Sequence, residues 1–184
     1  MSAREQLVRE LREHALVLGE FTLTSGATST YLIDAKRAIL RPAGFEALAQ
    51  LAAAEVVATG AGAVGGMTMG ADPIACAALS GGADVPAFFV RKERKEHGLS
   101  RWIEGPPLEP GTRCLIVEDV VTTGGSTIRA IERVREEGHE ICGVLAILDR
   151  LAGGDEAIRA AAGRDVPYNA LATIDDVYPE RPDR

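Results

Sequence analysis

Leu115-Ile116-Val117-Glu118-Asp119-Val120-Val121-Thr122-Thr123-Gly124-Gly125-Ser126-Thr127 has three physical parts. An apolar strand delivers two adjacent carboxylates to the edge of a sheet. A turn rich in Thr, Gly and Ser follows. A helix predicted over Ser126–Glu137 then begins, and Gly138 stops it. The first N–H groups of a helix have no partner within it, and small residues let an anion approach them closely. The hydroxyls of Thr122, Thr123, Ser126 and Thr127 add donors. The turn Thr122–Ser126 therefore reads as a cradle for a phosphate monoester. Glu118 and Asp119 would repel that phosphate, so they need a neutral hydroxylated neighbour, and a ribose diol fits. Taken alone, the turn is an ordinary strand–turn–helix with capping hydroxyls beside solvated acids. The acidic pair at the strand end shifts the reading to a sugar-phosphate site. It is not a Walker A loop, because the chain has no Gly-Lys dipeptide.

Outward from this stretch, strands and helices alternate. Ser2 caps a predicted helix carrying Leu7, Leu11, Ala15 and Leu18, with Gly19 as its stop. Tyr31-Leu32-Ile33 is a short strand ending at Asp34. Pro42 opens a helix with Phe45, Leu48, Ala52 and Val56 on one face, ended by Gly60. Ala63–Gly66 and Pro86–Val90 read as strands on either side of a helix from Asp72 to Ser80. Ile141–Leu148 is an apolar run expected to be buried on both faces, followed by a helix (Asp155–Ala162) and a strand (Tyr168–Ile174). This order predicts an α/β fold with a mainly parallel central sheet flanked by helices. Its ligand site is expected beyond the carboxyl ends of the strands. From Arg91 to about Thr112 there is no helix or strand signal.

The 184 residues fit one domain, 1–184, and 46% apolar residues suffice for a core. A net charge of −7 argues against a general nucleic-acid or membrane-surface binder. The three cysteines, Cys76, Cys114 and Cys142, form no disulfide or zinc pattern and read as small buried hydrophobes of a reducing, cytoplasmic compartment. The start of the chain shows no signal-peptide pattern. The uncharged stretch Val56–Ala71 is too short and too broken by glycine to span a membrane.

One loop concentrates cations. Arg91-Lys92-Glu93-Arg94-Lys95-Glu96-His97-Gly98 directly follows a strand and holds two of the chain's three lysines. Alone it is a solvated charged loop diluted by Glu93 and Glu96; beside a phosphate turn it reads as a polyanion site. Long and polar, with Gly98 and Gly105 near its flanks, it suits a lid.

The acidic pair, two spacers, two threonines and Gly-x-Ser together resemble the signature of the type I phosphoribosyltransferases. Arg-Lys-x-x-Lys-x-His-Gly resembles the mobile loop of the orotate phosphoribosyltransferases. Their opening motif is matched by Phe21-Thr22-Leu23-Thr24-Ser25-Gly26-Ala27-Thr28-Ser29-Thr30-Tyr31, and Arg150 follows the strand Ala146–Asp149. The resemblance implies the type I fold, with a small N-terminal hood (1–40) and a mobile active-site loop (91–112). It implies transfer of ribose 5-phosphate from 5-phosphoribosyl 1-pyrophosphate (PRPP) to orotate, with magnesium required and held mainly by substrate.

On that reading PRPP meets Arg91, Lys92, Lys95, His97, Glu118, Asp119, Val120, Val121, Thr122, Thr123, Gly124, Gly125 and Ser126. Lys95, His97 and Asp119 are the catalytic candidates. Orotate meets Thr122 and Arg150, with backbone around Leu32 and Ile33 completing its pocket. The family's loop crosses to a neighbouring subunit, which implies a homodimer. Some family members carry lysine where this chain has Thr24 and Met69, so Gly65–Asp72 is expected to contact pyrophosphate through backbone N–H groups. Lys36 either compensates in part or faces solvent.

Two other readings stand beside this one: a phosphoribosyltransferase for another base, and a PRPP-sensing regulatory protein. The acidic balance and the lack of an added DNA-binding module count against the second. Gly60-Ala61-Gly62-Ala63-Val64-Gly65 matches G-x-G-x-x-G, but it follows a helix and precedes a strand, the reverse of a dinucleotide site. Asp175-Asp176 reads as a polar tail, and Trp102 as a lid anchor or a surface contact.

Overall fold

A computed structural model describes residues 1–22, 28–94 and 101–182. The elements run α1 (Ala3–His14), β1 (Leu16–Thr22), β2 (Thr28–Ile33), α2 (Lys36–Ile39), α3 (Pro42–Thr59), β3 (Ala63–Met67), α4 (Asp72–Ser80) and β4 (Ala87–Val90). They continue with β5 (Ile103–Glu104), β6 (Arg113–Val121), α5 (Gly125–Glu136), β7 (Glu140–Asp149), α6 (Gly154–Ala162), β8 (Tyr168–Thr173) and α7 (Ile174–Val177). The main sheet has strand order β5-β4-β3-β6-β7-β8 and is parallel except for β5, which is antiparallel to β4. This is the α/β fold with the mainly parallel sheet expected from the alternation of elements.

Helices cover both faces of the sheet, and the period-2 geometry of its strands sorts their side chains. Val64, Leu115, Val117, Leu145 and Ile147 pack with Leu48, Val56 and Ile74 of α3 and α4. Cys114, Ile116, Val144 and Ala146 pack with Ile131, Val134 and Ile158 of α5 and α6. Such two-sided burial explains why Ile141–Leu148 is continuously apolar. β1 and β2 form a separate antiparallel pair at the N-terminal side. Among the described residues no helix is long and apolar enough to cross a membrane.

The structure departs from the sequence reading in four places. The first helix ends at its cap, Ala15, and Leu16–Thr22 is a strand, because Leu16, Val17 and Leu18 pair with Ile33, Leu32 and Tyr31. Leu18 therefore lies outside the helix face and is exposed. The segment after Arg91 contains β5, held by Phe89 and Val90 of β4. Asp176 is not part of a loose tail: it completes a capping box with Thr173 and accepts from Arg4, tying α7 to α1. Cys76 is exposed, because α4 buries Ile74, Ala75, Ala77 and Ala78 and turns Cys76 away from that face. Trp102, read as a lid anchor or a surface contact, donates its indole N–H to Glu136 and its backbone N–H to Glu137, both at 2.7 Å, and neither bond contradicts that reading. The G-x-G-x-x-G string runs from the cap of α3 into β3 and opens no helix.

Candidate active site

β6 carries the acidic pair to its carboxyl end, where the two carboxylates find different surroundings. Glu118 is 4% exposed. Its Oε2 accepts from Ser126 Oγ at 2.5 Å and from Thr127 Oγ1 at 3.0 Å. Burial pushes its carboxyl up to about 7; the charge of Asp119 adds to this, and the two hydroxyls pull the other way. Asp119 faces Lys36, whose ammonium donates to Oδ2 at 3.0 Å and lies 2.9 Å from Asp34 Oδ1. Burial opposes the charge of Lys36, but the carboxylates of Asp34 and Asp119 outweigh it and hold its pKa above the ordinary lysine value. Lys36 is thus an anchored cation reaching the strand tip. A Cβ on Gly70 would stand 2.5 Å from Asp119 Oδ1, so the turn after β3 closes on the same carboxylate.

Gly124 ends the turn in the left-handed region (φ 79°) and precedes α5, where an L side chain would be strained. Packing also supports the turn: a Cβ on Gly154 would lie 2.6 Å from the carbonyl oxygen of Thr122. Thr122, Gly125 and Ser126 are half-buried, Thr123 is exposed and Thr127 is buried. Val120 sits half-buried at the strand end, and Val121 is in the core. The opening of α5 leaves N–H groups beside these hydroxyls for an anion.

Arg150 follows β7, and its backbone N–H donates to Val121 O at 2.9 Å, which sets it beside the turn. Its guanidinium donates to Tyr31 Oη at 2.9 Å and lies 5.1 Å from the centre of that ring. Tyr31 in turn meets Tyr178 edge-on at 5.4 Å. Leu32 and Ile33 follow Tyr31 in β2.

β4 supplies the other wall. Arg91 pairs with Glu104 at 3.0 Å, and Lys92 is exposed. Arg133 of α5 donates to the carbonyls of Arg91 and Lys92 and lies 4.1 Å over the Trp102 ring. Both flanks of residues 95–100 are thereby fastened to α5. A cavity of about 380 Å³ is lined by Thr68, Phe89, Arg91, Lys92, Glu93 and Glu104. In the turn after β3, Met69 is exposed, while the N–H groups of Thr68 and Ala71 donate to Val90 and Met67. Lys95, His97 and Thr24 lie outside the described residues. Among the described residues no three His, Cys, Asp or Glu side chains cluster as a metal cage.

Sequence reasoning left out the contacts of Asp34, Tyr31 and Tyr178. Nothing in local spacing links residue 31 to 150, or 36 to 119; only the tertiary fold does.

Residues 49–161 match the model of the phosphoribosyl transferase domain family. The chain is 42% identical over 178 residues to an orotate phosphoribosyltransferase of Corynebacterium glutamicum, covering 96% of this chain and 95% of that one. It is 41% identical to one from Sorangium cellulosum, covering 98% and 96%. Among solved structures it is similar to the Mycobacterium tuberculosis orotate phosphoribosyltransferase in complex with PRPP, with TM-score 0.79, 32% identity and coverage of 95% and 98%. An adenine phosphoribosyltransferase from Leishmania donovani, 16% identical with TM-score 0.71, shares the fold alone.

Proposed function

The chain belongs to the orotate phosphoribosyltransferase family, and from that premise we infer that it transfers ribose 5-phosphate from PRPP to orotate. The products are orotidine 5′-monophosphate and pyrophosphate, and the step belongs to pyrimidine biosynthesis. The observation that carries this reading is the tip of β6, where a carboxylate pair adjoins a hydroxyl-rich turn at a helix start.

Breaking the bond at ribose C1 leaves positive charge on the sugar and negative charge on pyrophosphate, and fixed electrostatics must stabilise both. The turn Thr122–Ser126 holds the 5′-phosphate. Of the two carboxylates read as ribose ligands, Asp119 takes the ribose hydroxyls, and its negative charge favours the cationic sugar, whereas Glu118 is buried against the hydroxyls of Ser126 and Thr127. Arg91, Lys92, Lys95 and His97 hold the departing pyrophosphate. Magnesium, carried mainly by the pyrophosphate itself, supplies further positive charge there. The guanidinium of Arg150 takes the orotate carboxylate as a planar two-pronged donor. That a guanidinium stands beside the turn favours a carboxylate-bearing base over a purine. Within the 91–112 loop, the stretch between Lys92 and Trp102, whose flanks are fastened to α5, closes over the reactants and excludes water from the reactive sugar. The working unit is a cytoplasmic homodimer in which that loop completes the neighbouring site.

The decisive experiment follows orotate by its ultraviolet absorbance. Orotate is consumed only when PRPP and magnesium are both supplied. No consumption under those conditions, or preferential consumption of adenine or guanine, overturns the reading.

A further inference from the structure

A serine or threonine hydroxyl has one proton to give. Ser126 and Thr127 both direct theirs to the same oxygen, Oε2 of Glu118, at 2.5 and 3.0 Å. Thr127 is buried and belongs to the scaffold, whereas Ser126 is half-buried in the first turn of α5, beside the N–H groups that open toward an anion. While Ser126 donates to Glu118, its proton is unavailable to a phosphate. An arriving phosphate dianion therefore sets up a conflict. For Ser126 to donate outward, a carboxylate at 4% exposure must lose a donor just as a second negative charge comes close.

One proton removes the conflict. A neutral Glu118 donates its own O–H to Ser126 Oγ, and Ser126 gives its proton to the phosphate. We propose that Glu118 is a positioning residue that takes up a proton when the 5′-phosphate binds, switching Ser126 from donating inward to donating to the ligand. The balance is simple: one proton leaves the buffer and bonds to the Glu118 carboxylate, the Ser126–Glu118 hydrogen bond reverses, and a new one forms from Ser126 to the phosphate. The proposal rests on the function inferred above, which is what brings a phosphate to this turn.

The surroundings favour the protonated form. β6 itself brings the negative charge of Asp119. α2 brings Lys36, bonded to Asp119 and Asp34. α5 contributes the two hydroxyls, and β7 sets Ala146 opposite Glu118 in register. Burial and Asp119 already hold the group at about 7 without ligand, so protonation is accessible near neutral pH.

The test is calorimetric titration of wild-type protein with orotidine 5′-monophosphate at pH 8, in two buffers of different ionisation enthalpy. This ligand carries the phosphate without pyrophosphate, and its second phosphate ionisation, near about pH 6, lies outside the window. Uptake approaching one proton per ligand is expected, with affinity falling up to roughly tenfold per pH unit above 7.5. Glu118→Gln donates to Ser126 without titrating, so it binds with affinity flat within about twofold and takes up no proton. An infrared difference spectrum of the wild type gains a protonated-carboxyl band on binding, which reads the same event without a variant. Binding without proton uptake and without that band overturns this proposal alone, as does unchanged uptake in Glu118→Gln. Failure of the ligand to bind at all overturns the proposed function and this inference together.

Discussion

Arg150 is held ready by a neighbour far away in sequence: Tyr31 fixes its guanidinium at 2.9 Å. Arg150→Ala is expected to raise the orotate KM roughly ten- to a hundredfold, as about 1.5–3 kcal/mol of charge-assisted hydrogen bonding would give, with kcat changed less. Steady-state kinetics with orotate varied checks this, and an unchanged KM removes Arg150 from the pocket. Glu118 gives a residue-scale prediction that needs no ligand. Its folded pKa of about 7 lies above the ordinary 4.5 of the unfolded chain. Between those values the folded state binds more protons, so the group's contribution to stability falls as pH rises from 4.5 to 7 and then levels. Glu118→Gln lacks that loss. Relative to wild type it should gain on the order of 1–3 kcal/mol between pH 5 and pH 8, read from denaturant midpoints at both. An equal difference at the two pH values contradicts the raised pKa.

At the scale of elements, the site depends on how closely β3 and its following turn approach β6. A Cβ on Gly66 would lie 2.2 Å from the carbonyl oxygen of Val117 and 2.8 Å from Ala71 Cβ. Backbone must move to admit it, so Gly66→Ala should cost at least about 2 kcal/mol of stability in denaturant unfolding. A midpoint within error of wild type would show that β3 can shift freely. Elements with strong local signals were legible in the sequence: Pro42 and Gly60 bound α3, and the apolar run gave β7. The strand β1 was not, because Leu7, Leu11, Ala15 and Leu18 share helical spacing while cross-strand pairing with β2 takes Leu16 onward. β5 has two residues and no local pattern; its pairing with β4 makes it a strand.

At the scale of the molecule, candidate groups on β4, β6 and β7 gather at the carboxyl ends of neighbouring parallel strands, while β2 and α2 reach in with Tyr31 and Lys36. The proposed homodimer makes a further demand, since its loop serves the neighbouring site. Lys95→Ala and Asp119→Asn homodimers should each be nearly inactive. Mixed dimers place both lesions in one site and leave the other intact, so the isolated mixed species should retain about half of wild-type activity. Co-expression with two affinity tags and assay of the mixed species measures this. Mixed dimers that form and stay inactive would show that each loop serves its own subunit.

The sequence by itself determined the α/β alternation, the hydroxyl-rich turn after the acidic strand end and the family resemblance, because each is written in contiguous residues whose spacing carries its own physical meaning. Tertiary structure decided which way the side chains of that turn face. Glu118 and Asp119 are neighbours in the chain, yet the strand's alternation sends one carboxylate to buried hydroxyls and the other to a lysine 83 residues away. Partners that distant leave no local trace, because what joins them is the packing of strands and helices around one core.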